Sequence, residues 1–299
     1  FIVARAVAAA GLRSRLLAAV AFAVVVGCAT SLAQTYGVET DFFSINRAPG
    51  GTFGNRNFVA HMAAFGLPVV LLVALSARSV AGWLLGALGS AVVAGTLFLT
   101  RSRAGWLAAA GALLVLFLAL LLAPALRRYG RAWLRTVGIV AIGAGGLAAA
   151  LLVPNTLEWA SANPYLESMR GVVNYEEGSG AGRIVQYRRS LDMAADNVLL
   201  GVGPGNWSVH YADYAGDGDP SMSGRTPGMT ANPWPSSDWI AFIAERGVPA
   251  TLLLVLAFAA MAVRGMQQMF STDDPGVAMH AATLLALLIG YPLAYVIAF

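Results

Sequence analysis

The stretch VAGWLLGALGSAVVAGTLFLTRSRAGWLAAAGALLVLFLALLLA, residues 80–123, decides the fold of this chain. It holds two apolar runs, and each has about the 20 residues that a helix needs to cross a membrane. Only TRSRA, residues 100–104, separates the two runs. So short a polar connection between two spanning helices predicts a tight antiparallel hairpin.

The composition extends this prediction to the whole chain. Hydrophobic residues make up 58% of the 299 residues and charged residues only 11%, whereas soluble domains carry about 25% charged residues. We therefore predict an all-α, polytopic transmembrane helix bundle with one large extracytoplasmic, partly helical loop. In such a protein the net charge of +4 reflects orientation in the bilayer rather than binding to nucleic acid.

Seven apolar segments are candidates for spanning helices. They lie at residues 14–32, 58–76, 80–99, 105–123, 133–153, 248–263 and 277–298. The chain is thus expected to have transmembrane helices 1–5 in residues 1–153, a large loop with the site elements in 154–247, and helices 6–7 in 248–299. Because the chain begins with Phe1 rather than Met, one expectation is that it lacks helices that precede it in a longer protein.

Arginines in the short connections predict the orientation. With alternating spans, one group of them falls on a single side, which we assign to the cytoplasm because cytoplasmic loops are enriched in basic residues. This group comprises Arg5, Arg13, Arg15, Arg78, Arg127, Arg128, Arg131, Arg135 and Arg264. The loop of residues 154–247 is then expected to lie outside.

Arg56, Arg101 and Arg103 break this pattern, because they lie at helix ends on the outer side. One interpretation is that their side chains extend to the outer lipid headgroups. The other is that they share an anionic ligand, since the planar guanidinium can bind two phosphate oxygens at once. Their common position on the side of the large loop favours the shared ligand.

The middle of the large loop has a helical pattern. Apolar residues recur at helical spacing at Ile184, Tyr187, Leu191 and Ala194. They predict a helix over about residues 183–197. The following GVGPGN, residues 201–206, indicates a tight turn, because it lacks the Lys-Ser/Thr of a phosphate loop. The Gly- and Pro-rich residues 216–230 predict a flexible loop that could cover a site.

The stretch NPWPSSDWIAFIAERG, residues 232–247, leads into the sixth span. Ser236 or Ser237 can cap a helix, and Asp238 suits the positive N-terminal end of that helix. Asp238 and Glu245 are seven positions apart and therefore lie on one helix face. The three histidines of the chain lack metal-ligand spacing, so we expect no metal site.

Four motifs, in order along the chain, resemble the superfamily of O-antigen ligases and O-antigen polymerases. They are GTFGNRNFVAHMAAFGLP at residues 51–68, SRAGWLA at 102–108, GRIVQYRRSLDMAADNVLLGVGPGNW at 182–207 and the stretch before the sixth span. The similarity extends over roughly residues 51–263, which is most of the chain. Each motif is weak by itself, and the order of the four together makes the resemblance specific.

The resemblance implies a GT-C-like membrane glycosyltransferase that needs no metal or other cofactor. Such enzymes move a glycan from an undecaprenyl-diphosphate carrier to an acceptor at the outer, periplasmic face of the bacterial inner membrane. The acceptor is lipid A–core in ligases and another glycan in polymerases. We expect ligase-like transfer, with a polymerase as the alternative; membrane lipids are further partners, and nucleic acid is not one.

The resemblance also implies roles for particular residues. Arginines are expected to hold the diphosphate, and the candidates are Arg56, Arg101, Arg103, Arg183 and Arg188. Ligases have a His, favoured as general base or acceptor-positioning group, where this chain has Ser236. A neutral Ser has no accessible pKa for that role, so either another group is the base or the chemistry differs. Asp238 is the nearest titratable substitute, with Glu245 and His210 behind it. The catalytic candidates are Asp238, Ser236 and Arg183.

Aromatic and polar residues near these positions are candidates for contact with the glycan or the acceptor. They are Trp207, His210, Trp234, Trp239 and Glu245. Anchoring at the membrane interface is the alternative role for the aromatic residues. Two other classes stay open, a non-catalytic relative and a bicarbonate-like solute transporter. A transporter favours ionisable residues or broken helices near the bilayer midplane, and the spans here are nearly free of charge.

Overall fold

The fold was described from a computed structural model, which covers residues 2–43, 47–159, 161, 163–170, 178–232 and 235–297. The chain is 75% helical. In these described ranges there is no β-strand, and the only extended pairing is an isolated antiparallel bridge between Met222 and Thr230. The expected fold class, an all-α polytopic membrane bundle, is confirmed.

Twelve α-helices and one short 3-10 helix make up the described chain. The α-helices are α1 (Ile2–Ala9), α2 (Arg13–Thr35), α3 (Arg56–Ser76), α4 (Val80–Leu99), α5 (Arg103–Leu122), α6 (Pro124–Arg127), α7 (Gly130–Leu152), α8 (Pro164–Arg170), α9 (Gly178–Asp196), α10 (Trp207–Tyr214), α11 (Asp238–Ser271) and α12 (Pro275–Ile297). The 3-10 helix, Gly51–Phe53, immediately precedes α3.

Six of the described helices are long and apolar enough to cross a membrane, judged by length and composition alone. They are α2, α3, α4, α5, α7 and α11. They coincide with the first six expected spans. Helix α4 has the expected bounds, whereas α11 begins ten residues before the expected sixth span and ends eight residues after it. The expected seventh span falls on α12, whose fully described part, Pro275–Gly290, is apolar but shorter.

The chain forms two compact units. The first contains Phe1–Met169 and Arg264–Ala294, and the second contains Arg170–Val263 and Tyr295–Phe299. Residues 154–169, expected as part of the large loop, therefore belong to the unit with most of the spanning helices. The expected sixth span, residues 248–263, belongs to the other unit.

Small residues allow the helices of the first unit to approach closely. A Cβ added to Gly146 of α7 would lie 2.6 Å from the Ala91 Cβ of α4. A Cβ added to Gly86 of α4 would lie 2.5 Å from the Ala74 Cβ of α3. Helices in membranes associate largely by such close packing, because lipid is as apolar as the side chains. Helix α3 lies at the centre of this packing, and 11 of its 21 residues are buried.

The arginines of the first unit lie at its two opposite ends, as the contacts between helix ends show. The Arg135 guanidinium donates to the carbonyls of Leu75 and Ala77 at the end of α3, at 2.9 and 2.6 Å. The start of α7 and the α3–α4 connection, which carries Arg78, therefore lie at one end of the unit. Helix α3 extends from Arg56 to Ser76, so Arg56 lies at the opposite end of the unit. This agrees with the expected separation of the two arginine groups.

Candidate functional site

The end of the first unit that carries Arg56 also brings Arg101 and Trp159 together. Asn55 caps α3 by accepting a hydrogen bond from the Asn57 N–H at 3.0 Å, which places Arg56 in the first turn. The guanidinium carbon of Arg56 lies 5.0 Å from the centre of the Trp159 ring, and that of Arg101 lies 4.6 Å from it. Both distances are within the range of cation–π attraction.

The α4–α5 hairpin holds Arg101 in an unusual conformation. Arg101 has φ of +55°, the left-handed region that side chains other than glycine rarely adopt. Its neighbours hold the turn, because Ser102 caps α5 by accepting from the Gly105 N–H at 3.4 Å. The Trp106 indole donates to the Leu97 carbonyl across the hairpin at 3.0 Å. The SRAGW motif thus forms the hairpin that presents Arg101.

The arginines of this end differ in how their charge is balanced. Arg101 donates from Nε to Ser168 Oγ at 2.9 Å and lies 3.6 Å from the Glu167 carboxylate. Arg56 lies in the field of two like charges, Arg101 and Arg47. Among the described residues, neither Arg56 nor Arg47 has a carboxylate within 4.0 Å. This excess of positive charge favours an anion, because like charges held together are stabilised by a shared counter-charge.

A cavity of about 920 Å³ lies at this end of the first unit and is bordered by Arg56 and Trp159. It has the size of pockets that bind small molecules. Its wall is lined in part by Gln34, Glu39, Thr40, Asp41, Arg56, Thr156, Glu158 and Trp159. Gln34 also shapes this end of the unit, because its side-chain oxygen accepts from the backbone N–H groups of Gly50 and Gly51, both at 2.8 Å. The lining combines one guanidinium, that of Arg56, with the carboxylates of Glu39, Asp41 and Glu158. Such a polar wall suits a ligand rich in hydroxyl groups, with any anionic group held on the side of Arg56.

The second unit has a core between α9, α10 and the start of α11. Trp207 and Tyr211 of α10 are fully buried with Met193 of α9 and Ala244 of α11. The Trp207 indole donates to Ser190 Oγ of α9 at 2.9 Å, and its backbone N–H donates to the Glu245 carboxylate at 3.3 Å. Trp207 therefore presents no ring face to a glycan in this conformation, and the Glu245 carboxylate is engaged at the start of α10.

The buried face of α9 differs from the predicted one. Gln186, Ser190, Met193 and Ala194 are buried, whereas Leu191 is 45% exposed. Two of the four buried side chains are polar, so apolar spacing placed the face incorrectly. They are buried because each forms a hydrogen bond inside the unit. The other prediction for this region, a tight turn after the helix, is confirmed, since Gly201, Gly203 and Gly205 all have positive φ.

The glycine turn interlocks with a break in α11. Gly247 interrupts the helix with φ of 76° and ψ of 175°. Pro249 has no N–H, and the break displaces the Val248 N–H, so the carbonyls of Ala244 and Glu245 lose their helical donors. The turn replaces them, because the Val202 and Gly203 N–H groups donate to these carbonyls, both at 3.0 Å. The Val248 N–H donates in return to the Val198 carbonyl at 2.8 Å.

The break folds the first part of α11 back on the second. The Trp239 and Phe258 rings meet edge to face, with centroids 5.9 Å apart. These residues are 19 positions apart, a separation of about 28 Å along a straight helix. Residues 238–246 therefore lie alongside the apolar continuation of α11. Asp238, at the first position of the helix, is exposed, and Trp239 next to it is half-buried.

Contacts from α9 position the residues before Asp238. The Ser236 backbone N–H donates to Gln186 Oε1 at 2.8 Å. Burial raises the pKa of the Tyr187 phenol, whereas the charge of Arg183 and a hydrogen bond with Ser237 lower it. Arg183, Tyr187 and Ser237 therefore lie near one another. The Ser236 hydroxyl belongs to an exposed residue, and Ser237 is buried.

The other candidate residues are distributed over both units. In the first unit, Arg103 is half-buried at the start of α5. In the second unit, Arg188 is exposed on α9, and His210 is half-buried on α10. Trp234 lies outside the described residues. In the described part of the chain, no group of three or more His, Cys, Asp or Glu side chains could hold a metal ion.

Sequence reasoning missed three residues that organise these sites. Trp159 is a lone aromatic residue after the fifth span, and nothing in its spacing indicates the two arginines that contact it. Gln186 lies between the residues of the predicted apolar face. Asp219 is buried, accepting from the Tyr211 hydroxyl at 2.9 Å and the Ser221 N–H at 2.8 Å. It anchors the loop that was predicted to be flexible, and two backbone hydrogen bonds, Ser223 N–H to Met229 and Ala231 N–H to Ser221, close that loop into a hairpin.

The fold and these sites define a polytopic membrane protein with a cationic, cavity-bordering cluster at one end of its first unit and a carboxylate at the start of a reversed helix in its second. A family model described as O-antigen ligase matches residues 88–255, which is more than half of the chain. The chain therefore belongs to the O-antigen ligase family. Neither the search of curated proteins nor the search of solved structures found a match.

Membership of this family implies a membrane glycosyltransferase-like enzyme. It also implies a lipid-linked glycan as one substrate and a glycan acceptor as the other, in general terms. The matched segment begins in α4 and ends in α11. It therefore includes the α4–α5 hairpin and the whole core of the second unit.

Proposed function

We propose that this protein transfers a glycan from undecaprenyl diphosphate to a hydroxyl group of a lipid or glycan acceptor. The observation that carries this proposal is the group of Arg56, Arg101 and Arg47, in which, among the described residues, only Arg101 has a carboxylate within 4.0 Å. The family supplies the reaction class. Ligase-like transfer to lipid A–core is our first choice, and polymerisation on a glycan acceptor is the alternative within the same chemistry.

In this reaction the acceptor oxygen forms a bond to the anomeric carbon of the glycan. The bond from that carbon to the diphosphate oxygen breaks, and the diphosphate leaves with the electron pair. Arginines stabilise the negative charge that develops on the leaving group, and removing one such donor costs about 10²–10³ in rate. The candidates are Arg56 and Arg101 in the first unit and Arg183 in the second. In this proposal the chain's own arginines supply the charge stabilisation, without a metal ion.

The proton of the acceptor hydroxyl needs a base. We assign this role to Asp238, because its carboxylate lies at the exposed start of a helix and its neighbours Ser236 and Ser237 are held by α9. General-base catalysis contributes about 10²–10⁴ to a rate. Arg183, which lies near Tyr187 in the same unit, is the second arginine site for the diphosphate or for the acceptor.

The reaction is tested with undecaprenyl-diphosphate-linked O-antigen and lipid A–core in detergent micelles. Arg56→Gln and Arg101→Gln should each lower kcat/KM for the donor by about 10²-fold, and Asp238→Asn should lower kcat by a similar factor. The matched controls are Arg225→Gln and Asp217→Asn, which change exposed residues of the loop between α10 and α11. Loss of activity in the controls to the same extent, or full activity of all three site variants, would refute the site.

The same proposal places the second unit's polar segments on the periplasmic side of a bacterial inner membrane. Cys28, the only cysteine, is buried, so a single introduced cysteine can be labelled selectively. A membrane-impermeant maleimide added to spheroplasts should label Arg225→Cys and leave Arg78→Cys unlabelled until the membrane is permeabilised. The reverse pattern would contradict the assigned orientation.

A further inference from the structure

The buried side chain of Gln186 links three segments of the second unit. It is 5% exposed and lies on α9. Its Oε1 accepts from the backbone N–H of Ser236 at 2.8 Å, and its Nε2 donates to Ser221 Oγ at 3.2 Å. One amide thus holds the segment before α11 and the hairpin of residues 221–231 against α9.

The contact with Ser236 fixes the position at which α11 begins. Ser236 lies two residues before Asp238, the first residue of the helix, and the Ala241 N–H of the first turn donates to the Ser237 carbonyl at 2.9 Å. The next residue of α9, Tyr187, forms a hydrogen bond with Ser237. Two successive residues of α9 therefore hold the two residues that precede Asp238.

Gln186 also follows Arg183 by three positions on the same helix, so the two residues lie about one turn apart. Movement of the Ser236 segment relative to α9 would change the separation of Arg183 and Asp238. A catalytic group that moves by about 1 Å can lose about 10²-fold in rate. An amide suits this task, because it donates one hydrogen bond and accepts another in one rigid plane.

We propose that Gln186 is a positioning residue for the transfer reaction, which sets Asp238 at a fixed distance from Arg183 by holding the Ser236 backbone. This inference rests on the proposed function, because it requires Asp238 to act in transfer. It assigns no contact between Gln186 and the substrate.

The experiment uses the full chain in micelles with undecaprenyl-diphosphate-linked O-antigen as donor and lipid A–core as acceptor. Gln186→Leu removes both hydrogen bonds at similar volume, and it should lower kcat by about 10²-fold with less than about a threefold change in the donor KM. Gln186→Glu keeps an oxygen that can accept from the Ser236 N–H and from the Ser221 hydroxyl. It should recover at least about tenfold of the lost kcat.

The matched control is Ser190→Ala, which removes the other buried polar side chain of the same face, one turn further along α9. It should lower thermal stability and leave kcat per folded molecule unchanged. The inference is overturned if Gln186→Leu affects kcat no more than Ser190→Ala does, if it changes KM instead of kcat, or if Gln186→Glu recovers nothing.

The outcome for Asp238 separates this inference from the proposed function. If Asp238→Asn loses activity and Gln186→Leu does not, only the positioning role of Gln186 is refuted. If Asp238→Asn retains full kcat, the proposed role of Asp238 is refuted, and the inference is overturned with it.

Discussion

The break in α11 leads to a sharp prediction for Gly247→Ala. Gly247 has φ of 76° and ψ of 175°, a region that is essentially restricted to glycine and costs other residues about 1–3 kcal/mol. An added Cβ would also lie 2.6 Å from the Leu199 carbonyl oxygen and 2.7 Å from that of Val198. Both contacts are with backbone atoms that cannot rotate away, and such overpacking costs a further 1–3 kcal/mol, roughly.

The expected cost of Gly247→Ala is therefore about 2–6 kcal/mol. Gly205→Ala is the matched control, because Gly205 lies in the adjoining turn with φ of 79° and an added Cβ there would meet nothing within 4 Å. Its cost should be only about 1–2 kcal/mol, from the backbone conformation alone.

The assay is thermal unfolding of both variants in the same micelles, followed by tryptophan fluorescence. Gly247→Ala should unfold at a clearly lower temperature than Gly205→Ala. It should also lose transfer activity per folded molecule, because the reversed segment carries Asp238. If the two variants unfold at the same temperature, the interlock between the glycine turn and the helix break is not what holds this segment.

Three further changes test other parts of the structure. Burial raises the pKa of the Tyr211 phenol, and its hydrogen bond to Asp219 raises the pKa further. The phenol of the unfolded chain therefore loses its proton at a lower pH than that of the folded chain. The free energy of unfolding should consequently fall as the pH rises above about 10. Tyr211→Phe should lessen this alkaline loss and lower stability at pH 7 by about 1–3 kcal/mol, as thermal unfolding at pH 7 and pH 11 would show; an unchanged alkaline loss would contradict the reasoning. Glu245→Ala should lower the free energy of unfolding by about 1–3 kcal/mol, because the buried backbone N–H of Trp207 loses its acceptor. Glu245→Gln keeps an acceptor oxygen and should have nearly the melting temperature of the unchanged protein. Asn55→Ala removes the cap of α3, so it should cost about 1 kcal/mol of stability and weaken donor binding through Arg56. Asn55→Asp keeps the cap and should preserve both properties. A melting assay and a donor-binding assay would check the two variants.

The sequence predicted the membrane helices well because hydrophobic length is a local property. Each apolar run is sufficient by itself to indicate a helix, and the TRSRA connection indicates the hairpin. The ends of the helices were less exact, since they depend on caps such as Asn55 and Ser102. The separation of the arginines to opposite ends followed from alternation of the helices alone.

The candidate sites were harder to predict, because they depend on contacts between distant segments. Trp159 and Arg101 are 58 positions apart, and Gln186 contacts a residue 50 positions away. Spacing along the chain contains no record of such pairs. The apolar spacing of α9 also predicted the wrong buried face. By that pattern Gln186 faces solvent, whereas its hydrogen bonds make its burial favourable. The same limitation applies to Trp207, which was a candidate for contact with a glycan or for anchoring at the membrane interface and is buried in the core.

The position of Ser236 connects these observations with the chemistry. The residue that replaces the histidine expected from family resemblance has an exposed side chain, while its backbone is held by Gln186. The hydrogen bond of the Ser236 backbone to Gln186 does not depend on the side chain at position 236. The backbone conformation before α11 can therefore be the same with Ser as with His at this position. The carboxylate two residues later stands at the start of the helix in the same fixed segment. In the proposed reaction the diphosphate leaves without protonation when its charge is stabilised, so that proposal requires the arginines first and the base second. We therefore expect that Ser236→His restores no structure but gives a second base beside Asp238, and that it raises the residual kcat of Asp238→Asn by at least about tenfold. No gain in that double variant would indicate that position 236 does not face the acceptor.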